Sequence, residues 1–226
     1  MPDLSPSFVQ DYPAVAQPLL ALEKVSCQRG SRSIFSNLSL QLNAGQALQI
    51  KGANGAGKTS LLRLAAGLLA PELGIVSYLG EPVLTNAYAY RSELLFLGHL
   101  SAIKGQLTAL ENLQYCVDSR HQFSQQDIMS ALVEVGLAGY EDLPCSTFSA
   151  GQKRRVALAM LLLSRARVWL LDEPFTAIDK KGVKLLEKWM LAHLAKGGAI
   201  ILTSHQDVEL PGLSTLDLHE ECDNAQ

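Results

Sequence analysis

The sequence has no apolar run approaching the roughly 18 residues that a membrane-spanning helix needs. Its longest candidate, Val156 to Leu163, stops at Ser164-Arg165-Ala166-Arg167. The amino terminus lacks the basic-then-apolar order of a signal peptide. A cytoplasmic protein that reaches any membrane through a partner is therefore expected. An excess of positive charge is also missing. Lys and Arg number 19 against 22 Asp and Glu, for a net charge of −3. That removes the general electrostatic attraction to nucleic acid. The four cysteines, Cys27, Cys116, Cys145 and Cys222, show neither CxxC nor CxxCH spacing, which argues against zinc, a redox pair or covalent haem. They are expected as free thiols, three of them in core or half-buried positions. No internal repeat is visible.

What is present points to a large α/β domain. The chain has 226 residues, 48% of them hydrophobic, enough for a substantial core. Residues 1–18 carry Pro2, Pro6, Pro13 and Pro18 with little periodicity and predict an irregular tail. Strands are expected over 20–28, 34–42, 47–50, 74–79, 94–97, 168–171 and 199–203. Apolar residues at helical spacing predict helices from Ser60 towards Gly67 and over 111–118, 125–135, 152–164 and 181–195. The pattern is an α/β core with a helical lobe between its halves.

The run Gly52-Ala53-Asn54-Gly55-Ala56-Gly57-Lys58-Thr59 fits GxxxxGK(S/T), a loop whose backbone N–H groups cradle phosphates. Its glycines permit close approach and positive φ. Lys58 is placed to reach the β- and γ-phosphates, and the Thr59 hydroxyl to hold Mg²⁺. A strand before the loop and a helix from Ser60 after it put a helix N-terminus towards the phosphates. The plainer reading, a glycine-rich turn that binds nothing, does not account for the lysine and helix in register.

Val168-Trp169-Leu170-Leu171 ends in Asp172-Glu173. An apolar strand covered on both faces would deliver Asp172 at the carboxyl edge of the sheet, where open α/β folds bind ligands. Asp172 can support the cation held by Thr59, and Glu173 can polarise a water for attack on the γ-phosphate. In Phe148-Ser149-Ala150-Gly151-Gln152, Ser149 and Gln152 have capping-box spacing. Lys153, Arg154 and Arg155 then follow in the first turn, against the helix dipole, an arrangement that suggests a docked anion.

Together with Thr203-Ser204-His205, these motifs occur in an order that resembles the ATP-binding cassette (ABC) ATPases over about residues 20–210. The resemblance implies an α/β P-loop NTPase core with an antiparallel β subdomain and a helical subdomain inserted at about 99–165, all within a single domain over 19–226. It implies ATP and Mg²⁺ as ligands. It also implies a head-to-tail homodimer in which each ATP lies between one subunit's Lys58 loop and the other's Ser149, Ala150, Gly151 and Gln152. His205 would contact the γ-phosphate, and Thr176-Ala177-Ile178-Asp179 would link the two sites.

Three positions depart from the family pattern. Ala150 replaces a glycine, which requires negative φ there. His99 stands where a glutamine is usual, and imidazole suits hard Mg²⁺ poorly, so water or the partner-facing lobe is its expected contact. Arg29 takes the place of an aromatic residue that stacks on adenine. A guanidinium can stack on a base, but it equally fits a surface turn.

The stretches Phe96-Leu97-Gly98-His99, Leu107-Thr108-Ala109-Leu110-Glu111-Asn112-Leu113, Ser149-Ala150-Gly151-Gln152 and Leu171-Asp172-Glu173-Pro174-Phe175-Thr176-Ala177-Ile178-Asp179 resemble the ATP-binding subunit of the bacterial cytochrome c maturation transporter, often called a haem exporter. That implies an ATPase working with an integral membrane permease on the cytoplasmic side of the inner membrane, with no nucleic acid. No haem site is apparent; His121, His193 and His219 are isolated and expected on the surface or a helix face. An ATPase of another transporter, a soluble cassette acting on ribosomes or DNA, and a module without turnover remain the alternatives.

Overall fold

The structure is a computed structural model that describes residues 12–30, 32–98, 102–116, 123–206 and 208–218. Two sheets share the chain. Strands β1 (Leu20–Arg29), β2 (Arg32–Leu42), β4 (Leu73–Tyr78) and β5 (Glu81–Pro82) form an antiparallel sheet in the order β2-β1-β4-β5. Strands β3 (Ala47–Lys51), β6 (Leu94–Leu97), β7 (Val168–Leu171), β8 (Ala199–Thr203) and β9 (Ser214–Asp217) form the second, in the order β6-β7-β8-β3-β9, with parallel pairing throughout. Every residue of β7 and β8 is buried, as expected of parallel strands covered on both faces.

The described residues also form the α-helices α1 (Lys58–Ala65), α2 (Ala87–Ser92), α3 (Ala109–Cys116), α4 (Gln125–Glu134), α5 (Ala150–Leu162) and α6 (Lys180–Ala195). Helices α3, α4 and α5 all lie between β6 and β7 in sequence and pack on one another. Among the described residues no helix is long and apolar enough to cross a membrane.

The parallel sheet separates two cores. Side chains alternate along a strand, so Trp169 and Leu171 of β7 face a core built with α3 to α6, while Val168 and Leu170 face one built with α1 and the antiparallel sheet. Cys27 and Cys145 are buried and Cys116 is half-buried, all as free thiols; Cys222 lies outside the described residues.

Two expectations hold in part, for the irregular stretch before β1 and for His193, which lies on α6. The stretch 12–18 is irregular but fastened. The Tyr12 hydroxyl donates to the Ala166 carbonyl at 2.8 Å, Arg167 Nη2 donates to the Pro13 carbonyl at 2.6 Å, and Gln17 Nε2 donates to the Leu79 carbonyl at 2.8 Å. His193 is not at the surface. It is fully buried, stacked on Trp169 at 3.9 Å between ring centroids, with Nε2 3.2 Å from the Arg167 carbonyl. Burial pushes its pKa down to about 3, so the ring is neutral. Gly198 makes the room, since any Cβ there would overlap the imidazole. His121 and His219 fall outside the described residues.

Candidate functional site

The loop between β3 and α1 is shaped by its glycines. Gly52, Gly55 and Gly57 have φ of 140°, 85° and 103°. Gly57 is the N-cap of α1 in the left-handed region, with no side-chain cap, so the first amides of α1 stay open to an outside acceptor. A Cβ on Gly57 would overlap Ile34 Cγ2 of β2. Lys58 is buried and arches back over the loop, its Nζ donating to the Gly52 carbonyl at 2.7 Å and the Ala53 carbonyl at 3.2 Å.

Ala53 to Ser60 line a cleft of about 880 Å³, together with Arg29, Arg32, Asp172, Glu173, Thr176 and His205. Thr59 Oγ1 donates to Asp172 Oδ2 at 2.8 Å, joining the loop to the end of β7 across 113 residues of sequence. The other oxygen, Asp172 Oδ1, accepts from Thr203 Oγ1 at 2.8 Å, and the same hydroxyl oxygen accepts from the Glu173 N–H at 2.9 Å. Glu173 sits at φ 50°, an uncommon backbone region for a residue with a Cβ. Its Oε1 is buried without a hydrogen-bond partner, 3.4 Å from His205 Nε2. Gln49, buried in β3, sends Nε2 to the carbonyls of Ser204 and Gln206 at 3.2 and 3.4 Å, bracketing His205.

A second cluster of predicted residues stands apart from this cleft. Ser149 and Ala150 are exposed, and none of Ser149 to Gln152 lines the cleft. Ser149 caps α5 with a complete capping box: its Oγ accepts from the Gln152 N–H at 3.2 Å, and Gln152 Oε1 accepts from the Ser149 N–H at 2.9 Å. Ala150 opens the helix and is not among the positive-φ residues, so its methyl is accommodated. The residues 176–179 lie against this corner. A Cβ on Gly151 would come 3.1 Å from the Ala177 carbonyl, and Arg155 pairs with Asp179 at 3.1 Å. The Gly182 N–H, and then Arg155, hold the Asp179 carboxyl below its usual pKa.

Comparison with known proteins places this geometry. Residues 35–176 match the ABC transporter family. "Cytochrome c biogenesis ATP-binding export protein CcmA" of Pseudomonas savastanoi pv. phaseolicola is 48% identical over 205 residues, covering 90% of this chain and 96% of the relative. The protein of the same name from Haemophilus influenzae is 48% identical, covering 89% and 96%, and that of Escherichia coli O157:H7 is 47% identical, covering 85% and 91%. The chain belongs to the ABC transporter family, among its cytochrome c biogenesis ATP-binding proteins. Solved ABC structures agree in fold. A putative ABC transporter ATP-binding protein from Pyrococcus furiosus has a TM-score of 0.78 at 24% identity, covering 90% of this chain and 98% of that one. An ATP-binding cassette in its ADP conformation has 0.71 at 20%, covering 92% and 94%.

For this ABC ATPase the anion argument made from Lys153, Arg154 and Arg155 needs correction. Arg154 is 4% exposed and spends its donors on backbone carbonyls, and Arg155 is paired with Asp179. Two of the three cations therefore serve the chain's own structure, which leaves Lys153. Sequence reasoning also missed Gln49. The available signal was a glutamine inside the apolar strand Ala47–Lys51, where a buried polar group demands partners. His99 lies outside the described residues. Arg29 lines the cleft together with Arg32, its cross-strand partner next to the turn of the β1–β2 hairpin.

Proposed function

We propose that this chain is the ATP-hydrolysing subunit of an ABC system that energises cytochrome c biogenesis. On this reading it sits on the cytoplasmic face of the bacterial inner membrane through an integral membrane permease. The observation that supports it most is the convergence of Lys58, Thr59, Asp172, Glu173 and His205 on one cleft. Lys58 and the open amides of the Gly52–Thr59 loop hold the β- and γ-phosphates of ATP. Glu173, with one carboxylate oxygen free of hydrogen bonds, takes a proton from a water aligned with the γ-phosphorus. The water oxygen bonds to phosphorus as the bond to the β–γ bridging oxygen breaks, leaving ADP and phosphate. His205 orients the γ-phosphoryl group beside Glu173.

The Thr59 hydroxyl and Asp172 carboxylate, 2.8 Å apart, are the hard oxygen donors that Mg²⁺ prefers. Bound there with the phosphates, Mg²⁺ would neutralise developing charge. The exposed Ser149 and Ala150 and the half-buried Gly151 and Gln152 complete the pocket of a second copy in a head-to-tail homodimer. Ser149 Oγ accepts from Gln152 and keeps its own proton to donate to a phosphate of that copy. Residues 19–226 form one ABC ATPase domain on this reading, and its helical lobe at about 99–165 meets the permease.

Glu173→Gln tests the proposal. ATP binding is expected to persist, turnover to fall about 10²–10⁴-fold as for loss of a general base, and an ATP-bound dimer to accumulate. Membrane proteins recovered with that variant in ATP should include a cytochrome-maturation permease. Recovery of ribosomes instead, or full activity of the variant, overturns the reading.

A further inference from the structure

Arg154 is a buried cation placed against two penalties. It loses hydration at 4% exposure, and it lies near the start of α5, where the helix dipole opposes positive charge. Burial pushes its pKa down, while the negative charges of Asp172 and Glu173 push the other way. Its hydrogen bonds run to backbone carbonyls. Nη2 donates to Glu173 at 2.7 Å and Asp172 at 3.4 Å, Nη1 to Gly98 at 3.2 Å, and Nε to Pro174 at 3.4 Å. One planar group thus joins three segments: α5, the end of β6 and the end of β7. Arginine suits this task because its donors are spread over a rigid fork.

The partners explain the placement. Glu173 occupies a sparsely populated φ, and such residues persist only where their surroundings over-determine them. Its N–H is held by Thr203 and its carbonyl by Arg154, while Oε1 is left without a hydrogen bond. The backbone is fixed at both ends, while the carboxylate spends Oε1 on no hydrogen bond and keeps it beside His205.

We infer that Arg154 is a positioning residue for hydrolysis, setting the Glu173 backbone and tying it to the helix that begins at Ser149. The inference rests on the proposed role of Glu173 in polarising the attacking water. Through this clamp, a shift of α5 when Ser149 engages another copy's ATP moves the hydrolytic carboxylate of its own subunit.

Steady-state ATPase kinetics and ATP-binding titrations on the full chain test this with Arg154→Gln, Arg154→Lys and Glu173→Gln. Arg154→Gln is expected to lose about 10²-fold in kcat, the scale of a displaced reacting group, with KM and ATP affinity little changed. Arg154→Lys keeps the charge but not the fork and should recover part of the loss. Combining Arg154→Gln with Glu173→Gln should be no slower than Glu173→Gln alone, as for residues that act as a unit. A folded Arg154→Gln or Arg154→Lys with wild-type kcat overturns the clamp, as does a loss of ATP affinity that matches the loss of kcat. If Arg154→Gln does not fold, Arg154→Lys decides the matter alone. Wild-type turnover in Glu173→Gln overturns the role of Glu173 and the clamp with it; an inactive Glu173→Gln beside an active Arg154→Gln overturns only the clamp.

Discussion

Helices α1 and α5 both begin at a place proposed to meet phosphate, and they begin differently. α1 starts from a left-handed glycine with no side-chain cap, its lysine turned onto two carbonyls of its own loop. α5 starts from a serine in a complete capping box, with two of the three cations behind it, Arg154 and Arg155, tied to the chain's own backbone and to Asp179. The first terminus is open and leaves its amides for a ligand. The second is closed, and what it offers outward is a hydroxyl proton. On the proposed head-to-tail arrangement, one subunit's open end and another's closed end would be complementary parts of one site, which would account for their separation within a single chain.

The difference can be broken from either side. At the open end, Lys58→Met removes the buried cation and should cut turnover about 10²–10³-fold, the scale for losing one charge-stabilising donor, with weakened ATP binding by titration. Retained binding would mean the open end is not where phosphate docks. Gly57→Ala adds left-handed strain worth about 1–3 kcal/mol and a clash with Ile34. Denaturant unfolding should show a loss of at least that order together with weaker ATP binding. A loss under 0.5 kcal/mol, on the order of an inert surface change, would show that the loop does not need this φ.

At the closed end, Ser149→Ala removes a cap worth about 1 kcal/mol. Turnover should fall with it while each subunit's ATP affinity stays put. Unchanged turnover would reduce Ser149 to a cap. Arg155→Gln breaks a solvent-screened ion pair with exposed Asp179 and should leave the denaturant midpoint almost unmoved. A larger change would mean that this pair, more than the capping box, closes the end of α5.

The sequence carried the parts of this site that are local. The Gly52–Thr59 spacing, the apolar run into Asp172 and the Ser149–Gln152 interval each specify their geometry over a few residues. The described structure agrees with the strands at 168–171 and 199–203 and with five of the six helices to within a few residues. The unread elements are short and carry little pattern. α2 spans Ala87–Ser92, and β9, Ser214–Asp217, is exposed to half-buried along its length. Arg154 was misread for another reason. Its partners are carbonyls at positions 98 and 172–174, which no periodicity in α5 reveals. The burial of His193 was not legible because the space for its ring comes from Gly198, in the turn just before β8.

Thr203 couples the two residues that end β7. A single hydroxyl on β8 serves both neighbouring acids at the end of β7. Any sliding of β8 against β7 would therefore be sensed at both residues together. A valine there would have almost the same shape yet would strand both bonds, so the fidelity of this corner is written in one oxygen atom.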